Sequence, residues 1–423
     1  MLYPSDRRQM EWTLYKYSQF NIIVEETKER VLLFNTYSLR YRYLDRVDFL
    51  DVYGKSNIDL GDVPVSIAED GFIVPVSIDE IQRLKDDVQE HQDKADFMFV
   101  SIFTTLACNY SCVYCFEKEK LCQNDFMTTE TADEITSFIK RRYSDHKFSK
   151  PLKIKWFGGE SLLNMDIIRY ISKELISNNI KFSAKLYTNG RLLTKDLALE
   201  LKELGVTDDV VIPIDGLAPT YAMLKGCKEE DFYRTVQNIK DTEDILRIII
   251  HINVSETTKA DVEPLMKLLR DEYKIKSNIK AVNVAPQNTD KVNDENSISF
   301  DDFHKAYDIL MQGKATGIKR TYGCEARHPE YYVVGTKGEL YICEHLIGQE
   351  QYIVGNIYDQ STRLERHGTI WDSNRIIDEC GDCPLIPTCL GRCTSQRYID
   401  NIDCERDKRI ELTKSWILRL VHR

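Results

Sequence analysis

The sequence has no apolar run approaching the roughly 20 residues that a bilayer-spanning helix needs. Its opening residues, Met-Leu-Tyr-Pro-Ser-Asp-Arg-Arg, lack the apolar core of a secretory signal. No membrane association is therefore expected, and the expected location is cytoplasmic. A basic excess is missing too. Lys and Arg number 57 against 68 Asp and Glu, a net charge of −11 with a pI near 5.4, which speaks against a general nucleic-acid binder. There is no internal repeat and no low-complexity tract, so solenoid and linker architectures are excluded. What the chain does have is cysteine. Twelve thiols in a reducing compartment point to metal or cluster ligation and not to disulfides.

At 423 residues, 42% of them hydrophobic, the chain is expected to form two or three domains with sizeable cores. Short β-like runs open it: Phe20–Val24, Val31–Phe34, Phe49–Tyr53, Val63–Ile67 and Gly71–Pro75. The spacing of Ile78, Ile81, Leu84 and Val88 predicts a helix over Ser77–Gln89 capped by Ser77, and the polar stretch Gln89–Asp96 reads as a linker. From Phe97 strands and helices alternate. Strands are expected at Phe97–Thr104, Leu152–Trp156, Phe182–Tyr187, Val210–Ile214, Arg247–Val254 and Ile279–Ala285. Amphipathic helices are expected at Thr129–Arg142, Met165–Ile176, Lys195–Leu204, Asp231–Lys240 and Lys259–Tyr273. Six such units imply an α/β fold with a parallel sheet and ligands at the strands' carboxyl ends. Pro286–Ser299 reads as a polar loop, and beyond about Gly317 the chain is cysteine-dense and poor in regular elements.

The run Cys108-Asn-Tyr-Ser-Cys112-Val-Tyr-Cys115 follows the first strand of the alternating region. Three thiolates on one loop suit a sulfur-preferring centre, and a 4Fe–4S cube so held keeps one iron open to a small molecule. The residues alone leave a zinc knuckle open as well, with Cys122 as fourth ligand.

The C-x3-C-x2-C spacing, with an aromatic before the last cysteine, resembles the radical S-adenosylmethionine (SAM) signature. Gly158-Gly159-Glu160 after the second strand resembles that family's GGE, Tyr187-Thr188-Asn189-Gly190 ends the third strand, and Asp215-Gly216 follows the fourth. The resemblance implies a partial (β/α)6 TIM-type barrel. It also implies that Cys108, Cys112 and Cys115 hold the cluster whose open iron chelates SAM. Reductive cleavage of SAM to a 5′-deoxyadenosyl radical then starts hydrogen abstraction from the substrate. In the SAM pocket so implied, Tyr114 contacts adenine, Gly158, Gly159 and Glu160 bind the methionine amino group, and Asn189 and Lys225 line the site. The chain departs from relatives at Pro213, where a SAM-contacting Ser is common, and at Lys225, where Arg is common. Lysine keeps the charge but loses the bidentate fork.

Downstream stand Cys324, Cys343, Cys380, Cys383, Cys389, Cys393 and Cys404. Their intervals resemble the SPASM domain of peptide- and protein-modifying radical SAM enzymes, with Cys383-Pro-Leu-Ile-Pro-Thr-Cys389 adding to the match. The resemblance implies two auxiliary 4Fe–4S clusters, three in all. Cys380, Cys383, Cys389 and Cys404 would hold the distal one. Cys324, Cys343 and Cys393 would hold the proximal one, a ligand short and open to a substrate thiolate, unless a histidine, a carboxylate or water completes it. Glu344 occupies the position of a catalytic carboxylate in sulfatase-maturing relatives. Cys122 and Cys227 remain as apolar fillers.

About a hundred residues precede the cysteine loop. Their strand-rich unit with a following helix resembles the small winged-helix-like RiPP recognition element, an α+β domain that binds the leader of a ribosomal precursor peptide. Leu39–Leu44 alternates polar and aromatic residues, so Arg40 and Arg42 share a face and could receive a peptide strand; the same charges would also keep a bare edge strand from aggregating. Three domains are thus expected: leader recognition over 1–92, the radical SAM core over 93–315 and the SPASM domain over 316–423. The implied function is that of a sactisynthase- or ranthipeptide-synthase-like maturase forming Cys thioether cross-links in a precursor peptide, with a flavodoxin or ferredoxin as electron donor. A formylglycine-generating sulfatase maturase and a carbon–carbon cross-linking maturase are the alternative enzymes. An iron–sulfur electron carrier and a zinc-stabilised binding module are the alternatives of other classes.

Overall fold

In a computed structural model the chain is described for residues 14–422, except 95, 116, 118–120, 122, 147, 284–299, 312–317, 321 and 360–363. Cys122 and the expected loop Pro286–Ser299 lie outside the described residues. The chain divides into two units. One comprises Met1–Ala95, Ala315–Arg327 and Arg366–Arg423; the other comprises Asp96–Lys314 and His328–Glu365.

In the second unit, runs rich in β-branched and aromatic residues become strands. Six parallel strands lie side by side in chain order: β6 (Phe99–Phe103), β7 (Leu152–Phe157), β8 (Phe182–Tyr187), β9 (Val210–Pro213), β10 (Ile248–Val254) and β11 (Asn278–Asn283). One face of these strands carries Val100, Ile102, Ile154, Trp156, Ala184, Leu186, Ile250 and Ile252. They form a continuous core with helix residues such as Ile135, Ile139, Ile168, Ile171, Val236 and Ile239. Each such aliphatic side chain contributes about 1.5–3 kcal/mol by leaving water. The helices therefore sit on one side of the sheet, as the expected partial barrel requires. The other side is more polar and carries Ser101, Lys153, Lys155, Lys185 and His251.

Two expectations need correction here. The cysteine-dense region has regular structure: β12 (Tyr331–Val334) pairs parallel to β6, and β13 (Glu339–Tyr341) and β14 (Gly355–Asn356) extend the sheet to nine strands in antiparallel fashion. All four residues of β12 are buried, so the run lacks the alternation that marks a half-exposed strand. The expected helix over Lys259–Tyr273 is instead a 3₁₀ turn, an α segment Val262–Lys267 and a π turn Leu268–Glu272.

In the first unit, β2 (Asn21–Glu26), β3 (Arg30–Asn35) and β4 (Arg40–Asp45) form an antiparallel sheet with β4 at an edge, while β1 (Tyr15–Tyr17) pairs with β5 (Ile73–Pro75). Val31 and Leu33 of β3 pack on Tyr15, Phe49, Ile67 and Ile73. Leu32 and Phe34 face the opposite way and pack with Leu385 and Ile417 from the far end of the chain. Phe49–Tyr53, expected as a strand, belongs to the helix Arg46–Val52, where Phe49 and Val52 share the buried side. Val63–Ile67 runs into the helix Val65–Glu69, which buries Ile67 and Ala68. The later helix spans Glu80–Lys94 and so absorbs most of the expected linker. Its start is fixed by Asp79 and not Ser77: Asp79 Oδ1 accepts from the backbone N–H groups of Ile81 and Gln82, both at 3.0 Å.

Candidate functional site

The carboxyl ends of β6, β7 and β8 meet through backbone contacts that only glycine permits. The Gly159 N–H donates to the Thr105 carbonyl at 3.1 Å, and the Glu160 N–H donates to the Ala107 carbonyl at 2.9 Å. A Cβ on Gly158, whose φ is +150°, would stand 2.5 Å from the Thr105 carbonyl oxygen, and one on Gly159 would stand 2.5 Å from that of Ala107. The residues just before Cys108 are thereby laced onto the turn after β7. No described group donates to the Gly158 and Gly159 carbonyl oxygens, so both remain able to accept from an ammonium.

Glu160 binds the next strand end. Its buried carboxylate accepts from Leu162 N–H at 3.1 Å, Thr188 Oγ1–H at 2.7 Å and Asn189 N–H at 2.7 Å. Burial still pushes this carboxyl above its ordinary value, the three hydrogen bonds offsetting only part. Asn189 Nδ2 in turn donates to Asn109 Oδ1 at 2.7 Å, inside the cysteine loop. Asn109 was not singled out from the sequence; only the spatial approach of the two loops identifies it.

The other side of the loop rests on the end of the helix Ala218–Lys225. Ser111 N–H donates to the Lys225 carbonyl at 3.0 Å and Val113 N–H to the Leu224 carbonyl at 2.9 Å, so otherwise unpaired helix-end carbonyls are satisfied by the loop. Gly226 then turns away at φ +59°, where a Cβ would meet Ser111 Oγ at 2.2 Å. Lys225 itself is fully used. Its ammonium lies 2.8 Å from Asp215 Oδ2, with side chains 2% and 0% exposed, and the Tyr114 hydroxyl donates to the same oxygen. Burial opposes the Lys225 charge, but Asp215 overrides it and holds the ammonium well above its usual range. Lys225 thus faces Asp215, and Tyr114 is anchored by its hydroxyl with its ring 5.1 Å from the ammonium. Pro213 stands on β9 in register with His251.

Cys108, Cys112 and Cys115 are half-buried, and burial pushes the thiols of Cys108 and Cys115 up to about 12. For Cys112 burial also raises the value, against the nearby Lys225 ammonium. Such thiols stay protonated until a metal displaces the proton. Among the described residues no three His, Cys, Asp or Glu groups converge on one ion; a cube spreads its thiolates over separate irons and needs no such convergence.

Glu344 follows the buried Cys343 at the end of β13. Its Oε1 accepts from Lys155 Nζ at 2.7 Å and Ser101 Oγ at 3.0 Å. Burial would raise this carboxyl, but the Lys155 ammonium holds it below the usual range. The ammonium also lies 5.1, 5.8 and 5.9 Å from the rings of Phe99, Tyr331 and Tyr187. Lys155 was not legible as a site residue, because a lysine within a strand ordinarily points to solvent.

In the first unit, the Cys383 N–H donates to the Cys380 carbonyl at 2.7 Å and Arg397 donates to Cys380 Sγ at 3.0 Å. Arg392 donates to the Asp403 carbonyl at 2.9 Å, beside Cys404. The Arg327 guanidinium is buried and donates to Thr394 Oγ1 and to the Leu390 and Arg392 carbonyls. Burial lowers its value, while Cys324, Cys389 and Cys393 pull the other way. Cys343 belongs to the second unit. On β4, Arg42 Nε donates to Asp70 Oδ2 at 2.5 Å. Arg40 lines a cavity of about 130 Å³ with Ser18, Asn35, Tyr37, Glu80 and Arg83.

Residues 102–269 match the family model described as Radical SAM superfamily. The chain is 24% identical over 420 residues to the radical SAM cyclopropyl synthase TigE of Paramaledivibacter caminithermalis, covering 88% of this chain and 86% of that protein. Among solved structures it is similar to native anSMEcpe with bound AdoMet and Cp18Cys peptide, with a TM-score of 0.56 and 18% identity over 77% of this chain and 98% of that one. It is also similar to Streptococcus suis SuiB, with a TM-score of 0.50 and 14% identity over 89% of this chain and 95% of that one. Such a domain implies a 4Fe–4S cluster and SAM, and the laced loop, the glycine carbonyls and the protonated thiols described above fit both. Residues 102–269 are thus a radical SAM domain.

Proposed function

We propose that this enzyme modifies a ribosomally made precursor peptide and closes a thioether between a cysteine sulfur and a peptide carbon. The observation that carries the radical part of this reading is the lacing of Thr105, Ala107 and Asn109, at the start of the cysteine loop, onto Gly159, Glu160 and Asn189 at adjoining strand ends. In this reading Cys108, Cys112 and Cys115 hold a 4Fe–4S cluster, and Gly158, Gly159, Glu160, Asn189, Tyr114 and Lys225 border SAM. Together the two groups supply reductive SAM cleavage and hydrogen-atom abstraction from the substrate. The chain's own residues fix positions. Glu160 ties the strand ends together, Asp215 and Lys225 hold Tyr114 in place, and Glu344 is kept ionised by Lys155 close behind Cys343.

The remaining cysteines are assigned, as a proposal, to two auxiliary clusters: Cys380, Cys383, Cys389 and Cys404 to one, Cys324, Cys343 and Cys393 to the other. The buried Arg327 cation beside three of these thiols supports an anionic centre there. A peptide substrate is supported by the likeness to anSMEcpe, whose structure contains a peptide. The edge strand β4, with Arg40 and Arg42 exposed, supports leader binding by strand addition. A flavodoxin or ferredoxin is the proposed electron donor. The likeness to a cyclopropyl synthase favours a second reading, in which a carbon–carbon bond is formed instead.

The test uses anaerobically reconstituted enzyme with SAM, a strong reductant and a candidate precursor peptide. The expected result is 5′-deoxyadenosine together with a peptide that has lost two hydrogen atoms and one alkylatable thiol. Loss of the hydrogens with every thiol retained would select the carbon–carbon reading. Zinc in place of iron and sulfide, with no 5′-deoxyadenosine, would reject both.

A further inference from the structure

In the first unit each of the cysteines Cys380, Cys383, Cys389 and Cys404 is attended by an arginine. Arg397 Nη1 donates to Cys380 Sγ at 3.0 Å, and Arg409 Nη1 donates to Cys389 Sγ at 3.9 Å. Arg406 donates to the carbonyl of Asp382, next to Cys383, at 2.9 Å. Arg392 donates to the carbonyls of Asp403 at 2.9 Å and Cys404 at 3.4 Å. Two guanidiniums thus address sulfur, and two address the backbone beside it.

Arg397 is the best held of the four. Its second arm lies 3.2 Å from Glu379 Oε2, and Glu379 also accepts from Arg375 Nε at 3.0 Å and from the Tyr398 hydroxyl. Glu379 immediately precedes Cys380, so the planar fork is fixed with one arm on the carboxylate and the other on the sulfur. The Arg397 side chain is 22% exposed, so its contact with sulfur is little screened. The cysteine loop of the second unit is built differently. Among the described residues no arginine donates to the sulfurs of Cys108, Cys112 or Cys115. The Tyr110 N–H donates to Cys108 Sγ at 3.4 Å, and the Lys225 ammonium is matched by Asp215 at 2.8 Å.

A guanidinium keeps its proton at any working pH. Its N–H bond to a sulfur strengthens as that sulfur gains negative charge. An iron–sulfur cluster gains such charge when it takes up an electron, and hydrogen bonds to its sulfurs are among the protein's means of setting its potential.

We infer that Arg397 and, more weakly, Arg409 raise the reduction potential of the cluster proposed for Cys380, Cys383, Cys389 and Cys404. The inference rests on the assignment of those four cysteines to one auxiliary cluster. Both residues act through the cysteine sulfurs and touch neither SAM nor substrate, so they are positioning residues for charge.

The experiment uses the full-length chain with Cys108→Ala, Cys112→Ala and Cys115→Ala, reconstituted anaerobically so that the auxiliary sites alone carry iron and sulfide. It is reduced stepwise with dithionite and mediators and followed by electron paramagnetic resonance. In this background Arg397→Gln should lower one midpoint potential by about 59 mV, a tenfold change in a one-electron equilibrium. Arg409→Gln should lower the same midpoint by less, and Arg397→Lys, which keeps the charge, should retain part of the wild-type value. Arg375→Gln takes an arginine from the same Glu379 without touching a sulfur, and it should leave the midpoint where it was. Unchanged midpoints in Arg397→Gln and Arg409→Gln at full iron content would overturn the inference, as would an equal shift in Arg375→Gln. If Arg397→Gln sheds its iron, Arg397→Lys and Arg409→Gln decide: a lowered midpoint in both supports the inference and an unchanged one overturns it. Absence of iron and sulfide from the triple-alanine background itself would reject the auxiliary-cluster reading, and the inference would fall with it.

Discussion

At Gly159 a hydrogen stands where any other residue would put a carbon 2.5 Å from the Ala107 carbonyl oxygen. Gly159→Ala should therefore push the cysteine loop off the strand end while the helix-covered core stays folded. The expected outcome is a drop of about tenfold or more in 5′-deoxyadenosine formation, a misplacement effect, with a nearly unchanged far-ultraviolet spectrum; full activity would remove the lacing from the argument. The pair Lys155 and Glu344 makes a different prediction. Removing one partner of a buried ion pair leaves the other charge stranded, so Lys155→Met should cost about 3–5 kcal/mol in denaturant unfolding. Lys155→Met with Glu344→Met should cost far less. Because the folded Glu344 carboxyl lies below its unfolded value, its contribution is present above the ordinary glutamate pKa of about 4.3. It is lost as pH falls through the lower, folded value. The wild-type advantage over the double variant should shrink on acidification. Glu160 has the opposite sign. Its raised carboxyl contributes most below the unfolded value, and that contribution is lost as pH rises through the folded one.

Elements differ in how plainly the sequence announces them. The strand Phe182–Tyr187 is found where alternation predicts it, and the helices Met165–Ser177 and Thr129–His146 begin where predicted, because their apolar residues keep one period over many turns. Phe49–Tyr53 misleads because five residues fit either period, and the contact of Phe49 with Val31 and Leu33 of β3 decides for helix. The fully buried β12 offers no alternation to read. The site follows the same division. Cysteine spacing and paired glycines are local signals and were legible. Asn109, Lys155 and Arg327 were not, because each acquires its role from a neighbour remote in sequence. The end of the helix Ala218–Lys225 gives an element-scale test. Gly226→Ala combines a left-handed φ with a 2.2 Å approach to Ser111 Oγ, and it should loosen the cysteine loop from its helix. Iron retained after anaerobic gel filtration should fall, and retention equal to wild type would show that the helix end is dispensable.

For the whole molecule, the first unit is woven from both ends of the chain. Phe20, Leu84 and Val88 pack with Ile377, Ile386 and Leu390, and Ile22, Val24, Leu32 and Phe34 pack with Leu385 and Ile417. Deleting the first ninety or so residues would thus strip the packing from the segment that bears Cys380, Cys383 and Cys389, so truncation cannot isolate leader binding. Surface variants can. Arg40→Glu with Arg42→Glu on β4 should keep the wild-type iron content and weaken an acidic leader peptide by about tenfold, measured by anisotropy. Unchanged leader affinity would remove β4 from the binding surface.

That interweaving has a further consequence, in time. Leu32 and Phe34 of β3 are synthesised roughly 350–380 residues before Leu385 and Ile417, which cover them. At about 5–20 residues per second that is a wait of roughly 20–75 seconds. Throughout it the Leu32 and Phe34 face of the sheet has no partner from its own unit, while the second unit can already fold as each strand leaves the ribosome. The nascent chain therefore passes through a long stage with a finished barrel and an unfinished first unit. During that stage an apolar β-face is open to pairing with another chain, and the thiols of the last sixty residues can be loaded only once it has ended.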